Sequence, residues 1–198
     1  MAEDRRTRRT RRALRDALVE LALERGYAGL TVEDITERAD VARATFYSHY
    51  RDKDDLLTRI TADLLQELDE RLHPLAEETQ TGFTGKPLTE LFRHARQERG
   101  LYLVILRGEG DGKALRAFHD ESARRVGEVF STRTRHSGVT PRLPADLLAR
   151  AWVGEQLAVL HWWLEQDPAP MPAEEAGRML LDLAVHGRLW ASGYGSPS

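Results

Sequence analysis

Two helices of about two turns each, hinged on a single residue, are all that the stretch from Thr31 to Asp52 can hold. Thr31 stands before the first of them as a cap, and Asp34 occupies the third helical position, where a capping box more often has Glu. The spacing predicts a helix from Val32 to about Arg38. Asp40 tolerates the left-handed conformation that a tight turn requires, so a second short helix is expected from Arg43 to His49. Asp52, with Asp55 three residues on, then caps a longer helix from Lys53 towards His73, which Pro74 is expected to kink or end. Upstream, Ala13, Leu14, Ala17, Leu18, Leu21 and Ala22 recur at three- and four-residue spacing. They define one apolar face of a helix from Arg8 to Arg25, closed by Gly26.

Beyond a connector over Thr79–Pro87 the pattern stays helical. Helices are expected from Leu88 to Arg107, from Ala114 to about Arg135, from Pro144 to Gln166 and from Ala173 to about Ser192, separated by Gly108, Gly110 and Gly112, by Gly138 and Pro141, and by Pro168, Pro170 and Pro172. Leu101–Leu106 taken alone would pass for a buried strand, but its setting favours helix. The fold class is therefore all-α: a three-helix head with a helix-turn-helix over 1–52, a helical body over 53–192 and a short flexible tail over 193–198.

The helix after Pro144 is apolar in almost every direction. Leu148, Trp152, Val159 and Trp163 lie on one face, and Leu147, Ala151, Ala158 and Trp162 on another. Two such adjacent helices suggest a subunit interface, with Val159 and Trp163 on the first and Ala176, Met179, Leu180, Leu183, Gly187 and Trp190 on the last, the alternative being that both helices lie at the centre of the monomer. Gly187 is expected to admit a close helix neighbour.

Charge is distributed unevenly. The chain's net charge is −3, yet residues 1–15 hold seven Arg against Glu3 and Asp4, a local balance of +5 that leaves −8 for the rest. A basic end on an acidic body orients a molecule on a polyanion. An apolar content of 41% suffices for a core, whereas no run is long and uncharged enough to span a bilayer and no apolar stretch follows the N-terminal Arg residues, so a cytoplasmic protein is expected. With Cys at 0, disulfides, thiolate metal sites and a Cys nucleophile drop out. Gly108–Lys113 fails as a phosphate loop, because Arg107 replaces its first Gly and no Ser or Thr follows Lys113. Neither an HExxH pair nor a GxSxG elbow occurs, and His119 with Asp120 and Glu121 reads as a solvated face. No catalytic residue, metal or cofactor is expected.

A helix that enters the major groove needs small or hydrogen-bonding side chains in its first turn. Arg43, Ala44 and Thr45 meet that need: Arg43 offers a fork to guanine, while Ala44 and the Thr45 methyl suit a thymine methyl. Tyr47 and His49 stand about one turn further on, within reach of phosphate, and Thr31 and Lys53 lie at helix starts where backbone N–H groups attract anions. Phe46 and Tyr50 read as core. The run Phe46, Tyr47, Ser48, His49, Tyr50 followed by Lys53 and Leu56 resembles the TetR family of transcriptional repressors, over about fifty residues from Arg8 to Leu57. The sequence departs from that pattern at Asp40, where the family usually has Gly, and at Ala42, where it has Ser or Thr. Without a hydroxyl at Ala42 the recognition helix lacks a cap, and operator affinity leans more on the Arg arm.

The resemblance implies a homodimeric repressor that binds a pseudo-palindromic DNA operator and is released by a small organic effector. The helix from Lys53 would couple the two events. Effector candidates in the body are Phe92, Tyr102, Phe118, His119, Trp152 and Gln156. The rival readings are an all-helical enzyme or carrier that contains a helix-turn-helix, and a nonspecific architectural DNA binder.

Overall fold

The computed structural model describes residues 2–77, 85–138 and 140–192, and for 2–4, 76–77 and 189–190 the backbone alone. Those residues form nine helices and no strand: α1 (Ala2–Arg25), α2 (Val32–Arg38), α3 (Arg43–His49), α4 (Lys53–Glu77), α5 (Lys86–Gln97), α6 (Arg99–Leu106), α7 (Lys113–Ser137), α8 (Ala145–Glu165) and α9 (Ala173–Ala191). None of them is long and apolar enough to cross a membrane. Most of the proposed connector and all of the proposed tail fall outside the described residues.

The chain divides into two compact units. One comprises residues 1–65 and 100–118, the other 66–99 and 119–198, so α4 and α7 each supply residues to both.

In the first unit the α1 face of Leu14, Leu18 and Leu21 is buried together with Ile35 of α2, Phe46 of α3 and Leu56 of α4. Both caps that bound α2 and α4 form. The Thr31 hydroxyl accepts the Asp34 N–H, and the Asp34 carboxylate accepts the Thr31 N–H in return. Asp52 accepts the Asp55 N–H at 2.7 Å, but the returning Asp55 carboxylate takes the Arg51 N–H, one residue earlier than a capping box would have it. Asp40 adopts φ +52 at the hinge. Arg38 ties α2 back to α1 through Glu20 and Glu24.

Four expectations need correcting. Helix α1 starts at Ala2 rather than Arg8, so the basic end is itself helical. Of the two outcomes expected at Pro74, the helix does not end there: Pro74 lies inside α4, which continues to Glu77. The single helix expected over Leu88–Arg107 is two, α5 and α6, parted at Glu98 (φ −105, ψ 27). A Cβ on Gly100 would come within 2.7 Å of the Val19 side chain, so α6 crosses α1 where only glycine fits. Gly187, finally, has φ +81 and ψ 173 inside α9: it breaks the helix instead of seating a neighbour.

The close approach lies elsewhere on α9. A Cβ on Gly177 would stand 2.8 Å from the Thr89 backbone nitrogen, and this contact sets α9 tightly against α5 in the second unit. Beneath it lie Leu88, Leu91, Phe92 and Ala95 of α5, Val153, Leu157, Leu160 and Trp163 of α8, and Ala176 and Leu180 of α9.

Candidate nucleic-acid interface

Helix α3 is amphipathic in a way that separates support from display. Phe46 is fully buried and meets Tyr50 at 5.7 Å between ring centroids, which fixes the helix against its neighbours. Burial pushes the Tyr50 phenol up, while the charges of Arg11 and Arg59 pull against it. On the opposite side Arg43, Ala44, Tyr47 and Ser48 are exposed, Tyr47 by 52%, and Thr45 and His49 are half-buried at the margins. The guanidinium of Arg43 lies beside the Tyr47 hydroxyl and 3.9 Å from Glu33, so its resting position is held from two directions. Ser48, which sequence reasoning passed over, belongs to the displayed face, and its position four residues after Ala44 was the available signal. Arg51, whose side chain is 85% exposed, was also missed.

Two of the expected phosphate contacts have other work. The Lys53 ammonium donates to the carbonyls of Tyr27, Ala28 and Leu30 at 2.9, 3.1 and 2.8 Å and sits over the Tyr27 ring. All three of its hydrogens are thereby committed to the turn between α1 and α2. The Tyr27 hydroxyl completes the clasp by donating to Asp54. Thr31 is exposed, yet its hydroxyl and its backbone N–H both donate to the Asp34 carboxylate, which occupies the place an external anion would take. Arg43, Ala44, Thr45, Tyr47 and His49 remain as the expected contacts that the structure brings to one surface.

Ala42 is the N-cap of α3 in an extended conformation (φ −63, ψ 140), with no side-chain hydrogen bond to the helix. That backbone is already suited to a capping hydroxyl. Ala42→Ser is expected to raise stability by about 0.5–1 kcal/mol, read as a higher denaturation midpoint, and an unchanged midpoint would sink the capping argument.

The body candidates fare differently. Tyr102 and Phe118 pair at 5.7 Å in the core of the first unit, whereas Phe92, His119, Trp152 and Gln156 belong to the second, so the six do not share one unit. Phe92 is fully buried edge-on to Trp163 at 5.1 Å, His119 is partly exposed beside Asp120, and Trp152 is half-buried. Gln156 stands out, being only 8% exposed with an Nε2 that has no hydrogen-bond partner.

The expected dimer face is also rearranged. Trp163, Ala176 and Leu180 are buried within the second unit, and the Trp163 indole N–H donates to the Met171 carbonyl. Their apolar character serves this chain's own core. Val159 and Leu183 are half-buried, Met179 is 52% exposed, and the Trp190 side chain lies outside the described residues. What α8 presents to solvent is the other face: Leu147, Ala151, Ala158 and Trp162, directly opposite the buried one. Among the described residues no cluster of His, Asp or Glu is arranged to hold a metal ion.

Residues 14–60 match the family model described as bacterial regulatory proteins, tetR family. Over 55 residues the chain is 51% identical to an uncharacterized HTH-type transcriptional regulator, YxbF, of Bacillus subtilis (strain 168), a match that spans 27% of this chain and only 14% of that protein. Among solved structures, a TetR transcriptional regulator from Streptococcus agalactiae 2603V superposes with a TM-score of 0.64 at 27% identity, over 95% of this chain and 99% of its own. A FadR regulator from Bacillus subtilis, solved with stearoyl-CoA, gives 0.72 at 19% identity, over 89% and 98%. The corresponding Thermus thermophilus FadR, solved with lauroyl-CoA, gives 0.61 at 22% identity, over 90% and 95%.

Proposed function

Residues 14–60 of this chain belong to the TetR family of bacterial regulatory proteins, the whole chain has the all-helical fold of such regulators, and from that premise we propose that it is a cytoplasmic, dimeric repressor that binds a pseudo-palindromic operator and lets go when a small organic effector enters its body. The observation that carries the reading is the outward face of α3. Arg43, Ala44, Tyr47 and Ser48 have no part in the core, on a helix that Phe46 locks in place. Such a face has the size and chemistry to read a few base edges in a major groove and to grip the adjoining phosphates.

Dimerisation through α8 and α9 brings two such faces to half-sites about 34–36 Å apart. The exposed stripe of Leu147, Ala151, Ala158 and Trp162, with Met179 on α9, is the apolar surface that supports it. Inside the body, the unmet Gln156 amide supports a ligand: a buried donor left unpaired costs about 1–3 kcal/mol, which a polar group on a bound molecule removes. Acyl-CoA, the ligand class of the two FadR structures, is the effector probe to try first. Helix α4 begins at the Asp52 cap and supplies residues to both units, and so is the element through which an effector would shift the head.

Selection of duplexes from a random library by the full-length chain tests the reading. Recovery of a two-fold symmetric site, bound less tightly when stearoyl-CoA or lauroyl-CoA is added, is expected. Recovery of no preferred sequence would point to an enzyme, a carrier or an architectural binder instead. Within such a site Arg43→Ala should cost about 1–3 kcal/mol and relax the preference at one base pair of each half-site, measured by anisotropy against substituted duplexes.

A further inference from the structure

Helix α1 extends well beyond the core it serves. Its first fully buried residue is Leu14, and the turns before it, from Arg5 to Arg12, carry Arg at six of eight positions, all six exposed. Arg5, Arg8, Arg9 and Arg12 follow the spacing of neighbours on one helical face, and that face points away from the Leu14, Leu18 and Leu21 side. The strip rises by about 10 Å. Like charges three and four residues apart repel one another along a helix, and Arg12 finds partial relief in Asp16 at 3.7 Å. A polyanion laid along the strip removes the repulsion altogether.

The root of this extension lies near the end of the recognition helix, because Arg11 is close enough to act on Tyr50, the residue that closes α3. Exposed Arg51 follows directly, but its guanidinium stands 3.8 Å from Asp55, so the net positive charge beside the C-terminal end of α3 is that of the first turns of α1. A duplex held by the α3 face therefore meets a second, preformed cationic surface where its backbone leaves the half-site.

We propose that the Arg5, Arg8, Arg9 and Arg12 strip is a second DNA-binding surface, a rigid helical rail that grips the phosphate backbone flanking each half-site and adds affinity without reading sequence. It rests on the functional reading above, and it goes beyond it by assigning the basic end a mode of binding and a place on the duplex. Because phosphate contacts release counterions, each one lost should flatten the dependence of log K on log salt by about 0.9.

The test uses the full-length chain and the duplex recovered by selection, prepared both trimmed at the half-sites and extended by flanking base pairs. Arg5, Arg8, Arg9 and Arg12 are changed together to Gln, and in a second variant to Lys, with circular dichroism and thermal melting to confirm that both remain folded. The Gln variant is expected to bind the extended duplex at least tenfold more weakly near physiological salt, with a salt slope shallower by several units and an unaltered order of preference among sequences. It should match the wild type on the trimmed duplex, and the Lys variant should stay within about threefold of the wild type throughout, since a point charge suffices for phosphate. An unchanged affinity and slope for the Gln variant on the extended duplex would overturn the rail while leaving the repressor reading intact, as would a Lys variant as weak as the Gln one. Failure of the wild type to select any duplex would overturn both.

Discussion

Trp163→Ala is expected to lower the unfolding free energy by about 3–5 kcal/mol, the cost of emptying an aromatic site in a core that cannot collapse around it. Trp163 is 2% exposed, its indole N–H satisfies the Met171 carbonyl, and its ring takes the edge of Phe92, so truncation removes packing and leaves a polar group unmet together. Its neighbour in sequence should behave in the opposite way. Trp162 is 52% exposed, and Trp162→Glu should leave the subunit's own melting almost unchanged while dissociating the dimer and weakening operator binding. Denaturant unfolding at two protein concentrations, together with sedimentation, distinguishes the two. If Trp163→Ala dissociates the dimer without destabilising the subunit, the assignment of Trp163 to the core and Trp162 to the outer face of α8 is wrong.

The second large effect concerns Lys53. Lys53→Met keeps an unbranched side chain one atom shorter and removes every donor, stripping the turn between α1 and α2 of three charge-assisted hydrogen bonds and the cation over Tyr27. Hydrogen bonds to charged groups contribute about 1.5–3 kcal/mol each when well enclosed. Here the ammonium is partly exposed, so a total loss of about 2–4 kcal/mol is expected, felt first as fraying of the head. Hydrogen exchange of the α1 to α3 amides measures it. A variant whose head stays fully protected while its DNA affinity and salt slope fall would return Lys53 to the phosphate-contacting role that its position at a helix start suggests.

What could be foretold of this molecule follows the range of the forces involved. Helices α2 and α3 lie at the expected bounds because every device that fixes them is local: the Thr31 and Asp34 cap, the left-handed Asp40, the Asp52 cap. Phe46 and Tyr50, read as core residues that lock the three helices together, are buried. The break between α5 and α6 was hidden because Glu98, where the helix parts, is neither Gly nor Pro, and the fit of Gly100 against Val19 is a long-range contact that no local pattern encodes. The partners of Lys53 were hidden for the same reason: nothing near it in sequence reveals that three carbonyls from the turn after α1 converge on its ammonium. On α8 the exposed apolar face was visible, but the buried one was not: of Leu148, Trp152, Val159 and Trp163 only Trp163 is buried, and Ala149, Val153, Leu157, Leu160 and Leu164 form the inward face with it. The glycine that seats a helix proved to be Gly177 and not Gly187, which a sequence cannot distinguish without knowing what stands opposite.

The division of labour on α3 also bears on how such a protein changes over generations. Its scaffold depends on Phe46 and Tyr50, whereas Ala44, Tyr47 and Ser48 are exposed, with only the edge of the Tyr47 ring on Phe46 and the Ser48 hydroxyl on the Thr45 carbonyl tying them to the helix. Duplicated copies can therefore drift at those exposed positions, acquire new target sequences and stay folded throughout. A combinatorial library confined to the same positions would explore altered specificities with few casualties.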